Sequence, residues 1–581
     1  MSAVPPEIRR SQVARPDKSG RAMFEWTLTG SNITDTVRLI GGPFNVLPVV
    51  FVPGIMGSNL RAKGAIKPTP IWRLDTTGGE PAGLLNDFLT KGPGLRQTLL
   101  HPDRCEVDDQ GAIPSTPVGT VHVVETFRDR GWGTVGEGSY HKFLLWLEEA
   151  LNPGERNPAL WPDYHQTQAS IGPSPASNSQ PKLSLGLRMG MKGEPFGSEK
   201  QPFSPVFSND LIARGKFLFP VYAVGYNWLA SNSAAAAELA TRITGIIDKN
   251  NIGAFRCKQV ILVTHSMGGL VARACAQISD MSDKIAGIVH GAMPATGAAV
   301  AYRRCKLGMR DESYLASLVI GGNGQEVTAV FSQAPEALQL LPSQLYKPEW
   351  LRISQTASKP ALQLPSSGPN DSCDPYSEIY SNRDHWWGLV NESWLAPSGG
   401  TKIKWSDYID NLNTARDFHS KLGRKYHHQT YAYYGADPKQ PSFETMTWRI
   451  RQGLRPEGSD KSLPAAKLQE LSPQEVRMDG INPEYVGGKT VIQPTYSPMG
   501  SSVSIYETSQ WELHGEMQDG AGDGTVPISS GSAPLRHGPS EVKQQFKLIG
   551  FSHEKSYNDA MARRATLYSI NKIAGAAKNL A

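Results

Sequence analysis

The run Val260-Ile261-Leu262-Val263-Thr264-His265-Ser266-Met267-Gly268-Gly269 limits what this chain can fold into more than any other segment. Four consecutive β-branched or leucine residues read as a strand buried on both faces, the pattern of a parallel sheet. Two glycines follow where a helix must begin, and they let that helix pack close behind the strand. Ser266 sits on the bend between the two. A sharp strand-to-helix turn pushes its hydroxyl into the open above the sheet, where a substrate carbonyl can reach it. The usual pattern for such a turn is G-x-S-x-G, and Thr264 stands in place of the first glycine. A serine here can also cap the helix behind it. The chemical reading therefore depends on what else the chain supplies.

The segments around the elbow repeat its architecture. Val46–Val52 is an almost continuous apolar run ending in Pro53-Gly54-Ile55-Met56-Gly57-Ser58. The spacing predicts a helix over Tyr140–Leu151, a strand over Phe217–Val224 and a helix from Ser233 to about Lys249. In that last helix Leu239, Ile243, Ile246 and Ile247 fall at i, i+4, i+7 and i+8. Ile285–Val289, Thr430–Gly435 and Phe546–Gly550 are further strands, and a helix at about 557–577 closes the chain. Strand–helix alternation at this spacing predicts a mostly parallel α/β sheet. Residues 1–45 read as an irregular lead-in. Residues 46–297 and 426–581 form the α/β core, with a loop-rich insertion at about 152–210. Residues 298–425 break the alternation and carry Trp350, Trp386, Trp387 and Trp394; they read as a cap or lid.

Composition excludes several classes. The 581 residues carry 59 Lys and Arg against 54 Asp and Glu, a formal charge of +5, with no dense basic stripe interleaved with aromatics. That argues against nucleic acid as a partner. No run reaches the roughly 18 apolar residues that span a bilayer. The first residues carry charges without a hydrophobic segment behind them, so no usual signal peptide is expected and the chain is expected to be made in the cytoplasm. Five widely spaced cysteines include no C-x-x-C pair, so neither a metal cluster nor a disulfide framework is expected. No cofactor is expected.

Acyl transfer by a serine needs a base, a carboxylate to orient the base, and two N–H donors for the oxyanion. When the serine lies on a strand-to-helix elbow, the order along the chain is serine, acid, histidine. Ser266, Asp523 and His553 meet that order. Asp523 lies in Gly522-Asp523-Gly524-Thr525-Val526-Pro527, where flanking glycines allow a tight turn. His553 follows the last strand and precedes the terminal helix; His514 and His537 lie before that strand. His265 points away from the base position by strand alternation and reads as packing. The Gly-rich turn after Val52 offers the Ile55 N–H as one oxyanion donor. The N–H of Met267, the residue after the serine, offers the other.

With these pieces in place, the chain resembles the lipase branch of the α/β-hydrolases that includes lecithin–cholesterol acyltransferase-like and GPI inositol-deacylase-like proteins. The matching segments are VPGIMGSNL at 52–60, YAVGYNW at 222–228, VTHSMGGLVAR at 263–273, the turn from Pro294 to Gly297, LLP at 340–342, TYAYYG at 430–435, GDGTVP at 522–527 and the His553 loop. The resemblance implies an α/β-hydrolase fold with a mostly parallel central sheet, a large cap insertion and long irregular insertions. It implies a triad of Ser266, Asp523 and His553 with Ile55 and Met267 at the oxyanion hole; the acidic residues show no recognisable metal-loop spacing, so no metal site is expected. Thr264 departs from the pattern.

The chain is also similar to antibacterial phospholipase effectors delivered by type VI secretion. That resemblance implies phospholipase A1 or A2 action on membrane glycerophospholipids and delivery into the periplasm of a target bacterium. It further implies a cognate immunity protein and a needle-tip protein as partners. Two alternatives fit the same residues: a lipid acyltransferase using the same triad, and an inactive α/β-hydrolase serving as a binding module.

Overall fold

A computed structural model describes residues 45–75, 91–114, 126–152, 196–310, 320–452 and 469–577, apart from a few positions within those ranges. It also describes the backbone of short strands between residues 8 and 40. Most of the insertion expected at about 152–210 lies outside the described residues. In the lead-in, Ile8–Val13 pairs in parallel with Asp35–Ile40, and Arg15–Pro16 pairs with Ala22–Met23. Regular structure thus stands where the sequence reads as irregular, and β-branched Thr36, Val37 and Ile40 favour it.

Six strands build the central sheet: β1 (Val49–Val52), β2 (Val221–Ala223), β3 (Val260–His265), β4 (Ile285–Gly291), β5 (Thr430–Gly435) and β6 (Val542–Leu548). Their order across the sheet is β2-β1-β3-β4-β5-β6, and every pairing is parallel. This strand order, parallel throughout, is that of the α/β-hydrolase fold. The expected strand at Val46–Val52 is two pieces, because Pro48 has no N–H to give a ladder. Pro220 breaks the neighbouring strand in the same way, and Asn45–Val46 pairs separately with Phe217–Leu218.

Period-two alternation sends the strand side chains into two apolar layers. Val50, Val52, Leu262 and Ile288 pack with helix α2 (Asn232–Lys249) and the elbow helix α3 (Gly268–Cys275). Val49, Phe51, Ile261, Val263 and Val289 pack with α1 (Glu137–Leu151) and α4 (Ala560–Ala576). Helix α2 is capped by Ser231, whose Oγ accepts the Ala234 N–H. Its predicted stripe of Leu239, Ile243, Ile246 and Ile247 is buried.

A second sheet of six strands stands apart from the first. It draws Leu351–Thr356 and Lys359–Leu364 from one stretch of chain, and Met446–Gln452, Val476–Arg477, Glu484–Ser497 and Gly500–Gly515 from another. Leu351–Thr356 pairs with Met446–Gln452 in parallel, so chain on both sides of β5 contributes to one sheet. No helix of the described residues is long and apolar enough to cross a membrane.

Three buried histidines carry a consequence for stability. Burial pushes His290 down to about 3 and His419 and His427 down to about 4. In the unfolded chain they titrate near about 6.5. Between those limits the unfolded state binds more protons, so their contribution is fully present above about pH 6.5 and is lost as pH falls toward 4. Thermal midpoints are expected to be level above about pH 7 and to drop steeply below about pH 6. A midpoint unchanged down to about pH 4.5 would contradict the burial of these rings.

Candidate active site

The chain order of the sheet fixes where chemistry can occur. From β1 the chain crosses to β2 on one side, and β3 then lies on the other side of β1. The crevice at such a switch point, outside the carboxyl ends of the strands, is where open α/β sheets bind ligands. The loop Pro53–Gly57 leaves β1 there, and the elbow leaves β3 beside it.

Ser266 has φ +53°, a left-handed conformation that costs energy for any residue with a Cβ. Its N–H donates to Gly291 O at 2.9 Å, which anchors the bend to β4. Gly268 is needed here: a Cβ would lie 2.4 Å from Pro53 O and 2.5 Å from Val52 O. Ser266 is only 5% exposed.

The three residues singled out in the sequence meet. His553 Nε2 lies 2.8 Å from Ser266 Oγ, and His553 Nδ1 lies 2.9 Å from Asp523 Oδ2. Asp523 is buried, and its Oδ1 accepts the N–H groups of Thr525 at 3.0 Å and Val526 at 2.7 Å. Those donors come from its own GDGTVP turn and fix the carboxylate plane. The His553 N–H donates to Asp523 O at 2.7 Å, so backbone and side chain pair the same two residues. A second carboxylate braces this region: Asp437 Oδ2 accepts the Gly550 N–H at 3.0 Å in the loop that leads to His553.

Ile55 and Met267 lie on the two loops that flank Ser266. Neither backbone N–H donates to an acceptor among the described residues. The Gly54 N–H, by contrast, is taken by Tyr140 Oη at 3.2 Å. A Cβ at Gly54 would lie 2.9 Å from the Ser266 Cβ, so the loop presses directly on the elbow.

Sequence reasoning missed two members of the site's surroundings. His265, read as packing, is buried but fully hydrogen-bonded: Nδ1 lies 3.0 Å from Tyr140 Oη, and Nε2 lies 3.0 Å from His553 O. Burial, helped by nearby His553, pushes its pKa down to about 3, so the ring is neutral. Tyr140 hides in a helix whose apolar stripe already accounts for it, 125 residues away in sequence. Trp350, Trp386, Trp387 and Trp394, in the segment read as a cap, are all buried. Trp386 packs edge-on against Trp448 of the second sheet, and Trp387 Nε1 donates to Gln469 O at 2.8 Å.

The five cysteines are buried and unpaired. Among the described residues, no group of three or more His, Cys, Asp and Glu could hold a metal ion.

Residues 234–311, which include β3, the elbow and β4, match the family described as the PGAP1-like alpha/beta domain. The chain is similar to the Tle4 structure solved as the Tle4–Tli4 complex. Identity is 28%, the TM-score is 0.65, and the match covers 91% of this chain and 98% of that one. A second solved structure, phospholipase PlaB from Legionella pneumophila, overlaps with a TM-score of 0.15 and 12% identity over 51% of this chain and 83% of that one; this is too low to bear on the fold. None of the curated proteins matches.

Proposed function

We propose that this α/β-hydrolase is a serine-dependent phospholipase of the A1 or A2 type that acts on membrane glycerophospholipids, with Ser266 as nucleophile. The chain is an ester hydrolase of the lipase kind; the triad and the substrate are the proposal. The observation that carries it is the unbroken line from Asp523 Oδ2 through His553 to Ser266 Oγ, at 2.9 and 2.8 Å.

In this mechanism Ser266 Oγ attacks the ester carbonyl while His553 Nε2 takes its proton. Asp523 keeps the proton of His553 on Nδ1 and stabilises the imidazolium that forms. The N–H groups of Ile55 and Met267 bind the tetrahedral oxyanion. His553 then returns the proton to the leaving lysolipid alcohol. Water, activated by His553, frees the fatty acid from the acyl-serine.

Likeness to Tle4 supports a delivered effector as the biological setting. Because Tle4 was solved with Tli4, we extend the proposal to a dedicated protein partner that acts as an immunity protein. Delivery by a needle-tip protein into the periplasm of a target cell belongs to the same proposal.

The test is incubation of the purified chain with defined phosphatidylglycerol and phosphatidylethanolamine vesicles, with products identified by mass spectrometry. Fatty acid and lysolipid in equal amounts are expected. Release of neither would overturn the substrate assignment. Acyl transfer to an added alcohol, in place of free fatty acid, would favour the acyltransferase alternative.

A further inference from the structure

We infer that Tyr140 and His265 form a positioning bridge that ties the oxyanion loop to the backbone of the catalytic histidine; the inference rests on the triad reading above. The bridge is a single line of hydrogen bonds. The Gly54 N–H donates to Tyr140 Oη at 3.2 Å. Tyr140 Oη, already accepting from Gly54, donates its own proton to His265 Nδ1 at 3.0 Å. His265 Nε2–H then donates to His553 O at 3.0 Å. The tautomer of His265 follows from its partners: a carbonyl can only accept, so the proton must be on Nε2 and Nδ1 must accept. Burial pushes the Tyr140 hydroxyl upward, which keeps it protonated and able to donate.

The bridge connects parts that come from opposite ends of the chain. Gly54 precedes the proposed donor Ile55, and His553 is the proposed base. The His553 backbone is held on both sides, its N–H by Asp523 O and its C=O by His265. Ring contacts hold the bridge itself in place. Tyr140 packs on Phe51 at 4.9 Å and Tyr557 at 5.0 Å, and Tyr557 meets His265 edge-on at 4.9 Å. His265 is not a proton carrier, because one nitrogen faces a carbonyl and the other a tyrosine hydroxyl. Its role is geometric: it fixes how far the base stands from the loop that receives the oxyanion. Misplacement by about 1 Å in such a constellation costs on the order of a hundredfold in rate.

The test compares Tyr140→Phe, His265→Leu, His265→Gln and the double variant Tyr140→Phe/His265→Leu, using a chromogenic short-chain ester. Rates are divided by the sites titrated with a fluorophosphonate, so that misfolded protein is not counted. Tyr140→Phe and His265→Leu are each expected to lower kcat per titrated site by about ten- to a hundredfold, with KM within about twofold of wild type. His265→Gln, whose amide N–H can still reach His553 O, is expected to recover most of that loss. The double variant is expected to be no slower than the slower single one, because both break the same line. Wild-type kcat per titrated site in both single variants would overturn the bridge, as would strictly additive losses. Should His265→Leu yield no titratable sites, Tyr140→Phe and His265→Gln decide: a tenfold or greater loss in the first with near-wild-type rate in the second supports the bridge, and any other pairing overturns it. Ser266→Ala in the same series separates the two readings, since activity retained there defeats the triad itself whatever the bridge variants do.

Discussion

Ser266→Ala is expected to lower kcat by about a millionfold, the loss found when a triad serine is removed. The size follows from what remains. Without Oγ there is no covalent intermediate, and His553 has no proton to take. The oxyanion donors and substrate binding would still give roughly 10³–10⁴ over water. The fold should survive, because the Ser266 N–H bond to Gly291 O holds the elbow through the backbone and does not involve the side chain. Circular dichroism and thermal midpoint check the fold, and ester hydrolysis with fluorophosphonate labelling checks the chemistry. An alanine variant that hydrolysed esters at the wild-type rate would remove Ser266 from the mechanism.

Asp523→Asn is expected to cost about 10⁴ in kcat while leaving the fold intact. The local hydrogen bonds dictate how the amide must turn. Thr525 and Val526 N–H groups already donate to Oδ1, so they will hold the amide oxygen and turn the NH₂ toward His553. An NH₂ facing Nδ1 demands an acceptor there, which moves the imidazole proton to Nε2. The proton then points at Ser266 Oγ, and the base cannot accept. Asp437→Asn is the control, because Asp437 braces the same loop through Gly550 without touching the imidazole. If Asp437→Asn were the crippled variant and Asp523→Asn nearly normal, the acid would have to be reassigned.

How much of this was legible in the sequence differs residue by residue. The parallel core could be read because each central strand is buried on both faces and leaves an unbroken apolar run. Ser266, Asp523 and His553 could be ordered because each stands in a short loop in the segment expected of it. The contact between Tyr140 and His265 could not be read. Each residue already had a sufficient local explanation, and hydrogen bonding across so long a separation leaves no periodicity. The surroundings of the cap tryptophans could not be read for a related reason: a large ring signals buried area, and sequence does not say whether lipid or protein buries it. The second sheet was missed because strands such as Glu484–Ser497 and Gly500–Gly515 are rich in Gly, Ser and Thr. Their pairing is set by partners distant in the chain, and local pattern is weak.

The parallel neighbours β5 and β6 begin at Thr430 and Val542, with strands of the second sheet threaded between them. This gives synthesis a fixed timetable. A nascent chain exposes the loop after β1 first and the elbow next; Asp523, the edge strand and His553 follow in that order. Partial chains, including those cut short, carry a serine with no base. The proposed nucleophile therefore has no base until the chain through His553 has been made.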